Sequence, residues 1–390
     1  MIPLMKSAFL REDETRRALS QFILSAPRLS MDAKCREFEQ AFADFQGRRE
    51  AILFNSGGSA NLALLQALQN LGKLRAGDRV GFSALTWSTN TMPIIQLGMV
   101  PVPVDCEPTT LNVMSKNLAA RLAGTKLQAL FLTNALGFAG DLGRIKALCG
   151  ERGILLLEDN CESLGTELPD GKAGNFGLAA TFSFYVAHHM STIEGGMVCT
   201  DDDELAEMLR IVRANGWDRN LTPAQQAKWR AKYGIDSHFK AQYAFYDLGF
   251  NLRPTEITGF IGIEQLKYVR DTFGRREQIY LRLEAQARRN GGLLALDRSH
   301  ITRLSNFAFP VVCRSARLKE ELLRRFVEAN VEVRPLIAGN IQRQPFYSKY
   351  ADRVYELPGA DFLDDCGFYC GNYPDMAEAD LQVLENLLRA

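Results

Sequence analysis

Three stretches of this chain set glycine and polar residues at the end of an apolar run, the place where a folded sheet offers a ligand its edge. In Asn55-Ser56-Gly57-Gly58-Ser59-Ala60-Asn61 an apolar run gives way to an amphipathic one. Glycines admit close approach of a ligand to the backbone, and the free N–H groups at a helix start attract an anion. Gly57, Gly58 and the Ser59 hydroxyl therefore make a phosphate cradle, although the same residues also suit an ordinary strand-to-helix turn. The second stretch, Glu158-Asp159-Asn160-Cys161-Glu162, follows Leu156-Leu157. Open parallel sheets bind ligands just beyond the carboxyl ends of their strands. A carboxylate there can pair with the protonated ring nitrogen of an aromatic cofactor; the plainer reading of Asp159 is a helix cap. The third stretch runs from Phe182-Ser183 through His188-His189-Met190-Ser191-Thr192 to Glu194-Gly195-Gly196. A single histidine is more often structural than catalytic, and two in a row with hydroxyls around them shift that balance only in part. Trp87 also follows a strand-like run, where its indole can stack on an aromatic ring or simply fill a core. Asn215, in Ala214-Asn215-Gly216, and Asn251, in Gly249-Phe250-Asn251-Leu252-Arg253, are polar points in turns that turn chemistry alone could explain.

The elements needed to position these residues are legible in the pattern of apolar runs. Ala51–Phe54, Arg79–Leu85, Val100–Val104, Ala129–Thr133 and Ile154–Leu157 read as strands. Helical patterns such as Ala60–Leu71, Leu111–Leu122 and Asp141–Cys149 lie between them. Strands apolar on both faces and separated by helices imply an α/β fold with a mainly parallel, doubly covered sheet. After the turn Gly249–Pro254 a long charged helical pattern runs to Leu283, followed by a strand pattern over Leu304–Cys313 and helices over Leu318–Ala329 and Asp380–Leu388. This predicts a large domain over residues 1–250 and a smaller C-terminal α/β domain over 251–390, joined by a long helix.

Bulk properties narrow the function classes. Among 390 residues, 46 Lys and Arg balance 46 Asp and Glu, so no basic excess calls for nucleic acid. No apolar run approaches the roughly 20 residues of a membrane helix, and Met1–Leu10 lacks the features of a signal peptide. The eight cysteines are scattered with no CxxC pair, which fits reduced thiols and a cytoplasmic location. Cys366 and Cys370 could share a helix face, but two thiols make a poor metal site, and no metal is expected.

Taken together and in this order, the motifs resemble the DegT/DnrJ/EryC1/StrS family of sugar aminotransferases, over most of the chain from about Pro3. The resemblance implies the type I fold of pyridoxal-phosphate enzymes. Gly57, Gly58 and Ser59 fall on the family's phosphate turn, helped by Ser183. Asp159 falls on the aspartate that holds the pyridine nitrogen, and Glu162 stands where most members have glutamine. Trp87 would cover a ring face, and Asn215 lies in the same cofactor shell. Asn251 matches the asparagine that reaches a neighbouring subunit's cofactor phosphate, which implies a homodimer with shared active sites. Arg253, together with Arg334, Asn340 and Arg343 of the C-terminal stretch, would lie near the sugar nucleotide.

One position departs from the pattern: the family's Schiff-base lysine is replaced by His188. An imidazole cannot make that covalent link, so pyridoxal or pyridoxamine 5'-phosphate must be held non-covalently. Histidine here is similar to the family's 3-dehydratase branch. That branch takes its amino group from L-glutamate and removes the C3 hydroxyl of a nucleotide-linked 4-keto-6-deoxy sugar as water, giving a 4-keto-3,6-dideoxy sugar. The sequence around His188 and the absence of closely spaced cysteines after it point to the members acting on GDP-4-keto-6-deoxy-D-mannose, on the way to colitose. Members acting on CDP-4-keto-6-deoxyglucose carry an iron–sulfur cluster. His188 is the expected catalytic base, since its unperturbed pKa of about 6.5 suits proton transfer near neutrality. In an extended segment His189 would point the other way and ranks below it. An ordinary aminotransferase with a mutated lysine, and a catalytically inert sugar-nucleotide sensor, are the competing readings.

Overall fold

In the computed structural model, which describes residues 1–351 and 353–389, the apolar runs assemble into one large and one small sheet. The large sheet uses β1 (Glu50–Phe54), β2 (Arg79–Ser83), β3 (Val100–Val104), β4 (Ala129–Thr133), β5 (Leu155–Asp159), β8 (Ala179–Ser183) and β9 (Gly196–Thr200), in the order β1-β9-β8-β5-β4-β2-β3. A two-stranded ribbon, β6 (Glu167–Leu168) and β7 (Gly171–Lys172), is inserted before β8. Only β9 runs against its neighbours; the pairs β3–β2, β2–β4, β4–β5 and β5–β8 are all parallel. The mainly parallel sheet is thus as expected.

Its coverage on both faces follows from the two-residue period of a strand. In β4, Ala129 and Phe131 pack into the cluster holding Leu64, Phe82 and Leu209, whereas Leu130 and Leu132 pack into the cluster holding Phe138, Ile145 and Tyr280. In β1, Ile52 and Phe54 enter the first of these clusters, and Ala51 and Leu53 join Phe38, Phe42 and Phe182 in a third. No strand face is left for water, so these strands read as continuous apolar runs.

The small sheet is antiparallel, β10 (Phe309–Val312), β12 (Gly367–Cys370) and β11 (Val333–Pro335), with β12 in the centre. Its Phe309, Val311 and Phe368 belong to the same buried cluster as Leu130 and Leu132 of the large sheet. The two sheets therefore share a core.

Four details differ from the sequence reading. The long helix after Pro254 is two helices, Glu256–Leu266 and Val269–Ala287, parted where the Tyr268 N–H turns back three residues to the Gln265 carbonyl. The helix expected from Leu111 begins only at Ser115, because Leu111 sits at φ 60°. The strand expected over Leu304–Cys313 is confined to Phe309–Val312, since Ser305 and Asn306 are drawn away by bonds to His189 and to the Leu136 carbonyl. Cys366 and Cys370 do not share a helix face: the helix Pro358–Cys366 stops at Gly367, where the chain becomes extended and Cys370 enters β12.

Gly196 has a particular place in this architecture. It opens β9 between Phe54 and Ser183, and a Cβ there would stand 2.2 Å from the Ser56 carbonyl oxygen and 2.6 Å from the Gly57 nitrogen. Backbone cannot yield as a flexible side chain does, so Gly196→Ala is expected to cost about 1–3 kcal/mol, the range of overpacked cores. Thermal denaturation checks this; an unchanged melting temperature would show that the phosphate turn and β9 are not pressed together.

Candidate active site

The strand β1 delivers the chain into Asn55 and Ser56, and the helix Gly57–Asn70 begins at once. Ser56 is its N-cap, with an extended backbone and a side-chain oxygen that accepts the Ser59 N–H at 3.0 Å. The Ala60 N–H bonds the Ser56 carbonyl at 3.0 Å. Of the first-turn donors this leaves the Gly57 and Gly58 N–H groups without an acceptor among the described residues, which is the arrangement an anion needs. The floor of the cradle is Ser183, the last residue of β8: a Cβ on Gly57 would fall 2.6 Å from the Ser183 Cβ. Glycine is required at 57 to bring the helix start and the Ser183 hydroxyl together.

Asp159 ends β5, which lies between β8 and β4 in the large sheet, and is 5 % exposed. It does not cap a helix. One carboxylate oxygen accepts the Cys161 N–H at 3.0 Å; the other accepts the Asn61 side-chain amide at 2.9 Å and that of Asn90 at 3.4 Å. No described Lys, Arg or His forms an ion pair with it. Asn90 belongs to the helix Ser88–Gln96, whose N-cap is Trp87, and its N–H returns to the Trp87 carbonyl at 3.1 Å. Trp87 is 55 % exposed rather than buried in the core. Its ring is free to stack, on an element tied to Asp159 through Asn90.

The His188 segment is a tight turn and not the extended run assumed from the sequence: the His188 N–H bonds the Tyr185 carbonyl at 2.9 Å. The two imidazoles nonetheless have separate surroundings. His189 is buried, its Nε2 is 2.9 Å from the Ser305 carbonyl oxygen, and its ring meets Phe273 edge-on. His188 is only partly buried, makes edge contacts with Tyr185 and Phe307, and has a Nδ1 atom with no hydrogen-bond partner. Burial pushes its pKa down to about 4; the Ser183 main chain opposes this and the Arg276 charge adds to it. His188 is therefore a neutral base throughout the physiological range.

Glu162 forms no ion pair among the described residues. One of its oxygens accepts the Leu136 N–H at 2.9 Å, in a loop where Leu136 itself takes φ 56°. Burial raises its pKa from the ordinary value near 4.5 to about 7, opposed by the Leu136 N–H and assisted by the nearby charge of Asp159.

The other expected residues divide. Asn215, Asn251 and Arg253 come together beside the cradle: Ala214 pairs with Asn251, Asn215 N–H bonds the Phe250 carbonyl, and the Leu252 carbonyl accepts the Asn55 N–H at 3.0 Å. All three side chains are exposed. Arg334 is exposed on β11 and pairs with Glu332. Asn340 stands beside the exit of β2, through its bridge to Leu85, but is buried and donates to Asp361 at 2.9 Å. Arg343 is engaged by Asp361, Asp364 and Asp365. Those last two side chains are already in use within their own stretch. Ser56, Asn61, Asn90, Phe307 and Arg276 escaped the sequence reading; Ser56 and Asn61 were visible within the glycine turn, whereas nothing local marks the others.

The donor set fits pyridoxal phosphate. It offers an anion cradle that an added Cβ would fill, a buried carboxylate without a basic partner, an exposed indole and a neutral imidazole. Comparison with known proteins agrees. The sequence pattern of the DegT/DnrJ/EryC1/StrS aminotransferase family matches residues 11–388. The chain belongs to this family. A GDP-4-keto-6-deoxy-D-mannose 3-dehydratase from Yersinia pseudotuberculosis is 31 % identical over 392 residues, 97 % of this chain and 96 % of the relative. The solved structure of the E. coli enzyme of that name with bound hydrated PLP superimposes with a TM-score of 0.91 at 30 % identity, covering 100 % of this chain and 99 % of that one. A second structure of GDP-4-keto-6-deoxymannose-3-dehydratase, with a trapped PLP–glutamate geminal diamine, also gives 0.91, at 31 % identity and complete coverage of both chains. The family thus supplies the fold and the cofactor.

The raised Glu162 carboxyl has a signed consequence. Between about 4.5 and 7 the folded protein holds a proton that the unfolded chain has released, so this group's contribution to stability falls as pH rises through that window. Glu162→Gln removes the titration and keeps an acceptor for the Leu136 N–H. The variant should gain melting temperature over the parent at pH 8 and show little difference at pH 5. A gap of equal size at both pH values would mean that Glu162 does not titrate there.

Proposed function

We propose that this protein is a pyridoxal-phosphate-dependent 3-dehydratase that removes the C3 hydroxyl, as water, from a nucleotide-linked 4-keto-6-deoxyhexose, with GDP-4-keto-6-deoxy-D-mannose as substrate and L-glutamate as amino donor. What supports this reading is the imidazole of His188 where the resemblance puts the family's lysine, beside a turn with free N–H groups and a strand-end carboxylate held by Asn61. When bound, the cofactor supplies an amino group for the C4 ketone and an electron sink that allows the neighbouring C3–O bond to break.

The rest of the chemistry rests on side chains of this chain. The Gly57 and Gly58 N–H groups with the hydroxyls of Ser59 and Ser183 hold the phosphate. Asp159 presents a fixed carboxylate oxygen to the protonated ring nitrogen, and Trp87 covers one ring face. Glu162, bonded to the Leu136 N–H and close enough to Asp159 to feel its charge, would sit beside the cofactor ring. His188, neutral and only partly buried, would take the proton lost from the C4′ carbon of the bound cofactor onto its imidazole and deliver it to the departing C3 hydroxyl, which leaves as water; a positioned base of this kind is worth about 10²–10⁴-fold in rate. A lysine would instead bind the cofactor covalently and return a proton to C4, completing amination. Histidine performs only the elimination.

Arg253 and Arg334, both exposed, serve the diphosphate, and Asn340 and Arg343 flank them at the cost of their present partners. Residues 1–250 act as the cofactor-binding domain and 251–390 as the smaller one. The exposed Asn251 turn suits contact with a second copy's cofactor phosphate, in a homodimer. No helix among the described residues is long and apolar enough to cross a membrane, and a cytoplasmic biosynthetic enzyme is the fitting assignment.

Supplied with pyridoxal phosphate, glutamate and GDP-4-keto-6-deoxy-D-mannose, the protein should release a 4-keto-3,6-dideoxy sugar nucleotide and ammonia, read by mass spectrometry. A product carrying an amino group at C4 and an intact C3 hydroxyl would overturn the assignment. Running CDP- and dTDP-linked sugars alongside tests the nucleotide. Borohydride reduction should leave the protein unlabelled by cofactor, and His188→Lys should become labelled.

A further inference from the structure

A lysine reaches its target on a flexible four-carbon stem, so its backbone can move by a fraction of an ångström without loss. An imidazole has two rotatable bonds and no such reach. If His188 is the base, the main chain at 188 has to be fixed by something; within the turn, residue 188 itself is held by one bond, His188 N–H to Tyr185, while the bond that closes the turn runs from Thr192 N–H to the Phe184 carbonyl.

The fixing group is Arg276, on the helix Val269–Ala287. It is 1 % exposed, yet no carboxylate among the described residues lies within ion-pair distance. Its guanidinium spends its donors on main-chain carbonyls instead. Nη2 donates to His188 at 3.2 Å; Nη1 donates to Phe307 and to Asn372 at 2.5 Å each, and more weakly to Asn306 at 3.4 Å. Asn372 returns a bond from its side-chain amide to the Arg276 carbonyl at 3.2 Å. The same Ser305–Phe307 segment meets the histidine turn twice more, through the Ser305 carbonyl at His189 Nε2 and through the Phe307 ring 5.3 Å from that of His188. One planar cation therefore joins the histidine turn, the 305–307 segment and residue 372, which are far apart in sequence. Only arginine offers several donors in a rigid planar fork; lysine is a single point charge on a flexible stem.

We propose that Arg276 is a positioning residue for His188, clamping its main chain so that the short imidazole stands at the reacting carbon. Its buried charge further disfavours an imidazolium beside it. The clamp rests on the dehydratase reading and explains why a histidine can stand where a lysine would need no such support.

The test is to make Arg276→Lys in two backgrounds, the parent and His188→Lys. In the parent, a displacement of about 1 Å should lower kcat by on the order of 10²-fold with KM little changed. In the His188→Lys background the same change should leave borohydride-dependent cofactor labelling within about twofold, because lysine tolerates the displacement. Equal losses in the two backgrounds would reduce Arg276 to a general structural role and overturn the proposal. Arg276→Gln, neutral but still a donor, provides a second variant should the lysine form fold poorly, read by NMR titration of ¹⁵N-labelled histidine in the cofactor-free protein. The His188 pKa should rise in Arg276→Gln; a resonance that titrates as in the parent counts against the clamp. That titration needs neither cofactor nor turnover. If the parent eliminates no water from any sugar nucleotide, the dehydratase reading fails while the titration still reports on the clamp.

Discussion

A carboxylate buried at the end of a strand without a basic partner is costly unless donors surround it, and the site is organised around meeting that requirement at Asp159. The Asn61 amide comes from the helix that begins at the phosphate turn, the Asn90 amide from the helix capped by Trp87, and the Cys161 N–H from the chain just beyond β5. Satisfying one carboxylate thus ties together the phosphate cradle, the stacking indole and the sheet edge. These donors fix both oxygens in place but supply no full positive charge, which leaves that part to a protonated ring nitrogen.

The second constraint is steric. Gly57, Ser183 and Gly196 meet where the helix start, the end of β8 and the start of β9 converge, and neither glycine position admits a Cβ without a clash with its neighbours. This convergence places the hydroxyl of Ser183 under the cradle and starts the histidine turn a few residues later. The one antiparallel strand of the large sheet, β9, makes the arrangement possible: the chain leaves β8, forms the His188 turn at the ligand-binding edge, and returns alongside β8 instead of crossing behind the sheet.

Electrostatics separate the two carboxylates and the two histidines by role. Asp159 is surrounded by N–H donors, whereas Glu162 has one N–H donor and Asp159 as a like-charged neighbour, which with burial holds it protonated into the neutral range. His189 is locked to Ser305 and shielded from solvent; His188, one residue away, is only partly buried and its Nδ1 has no hydrogen-bond partner among the described residues. A tight turn sends the side chains of two adjacent histidines into different surroundings.

Much of this was legible in the chain itself. Short continuous apolar runs separated by helical patterns specified the mainly parallel sheet, since both are local properties, and the strands Val100–Val104 and Ala129–Thr133 fall where the pattern puts them. The glycine turn, Asp159 and the histidine in place of lysine carry the family and the expected chemistry in contiguous motifs, because a phosphate cradle and a strand end are built from neighbouring residues. The break at Tyr268, the irregular path through Ser305 and Asn306, and the use of Asn340 and Arg343 by nearby carboxylates were not legible, because each depends on partners that local periodicity does not identify. The same holds for what fixes the main chain around His188 and His189. Arg276 lies 88 residues from His188 and Ser305 lies 116 from His189, and no local pattern in a chain reports a bond over that separation. The order of residues thus names the groups available to the site, whereas the place of the His188 imidazole follows from folding, since main-chain bonds from distant segments hold it there.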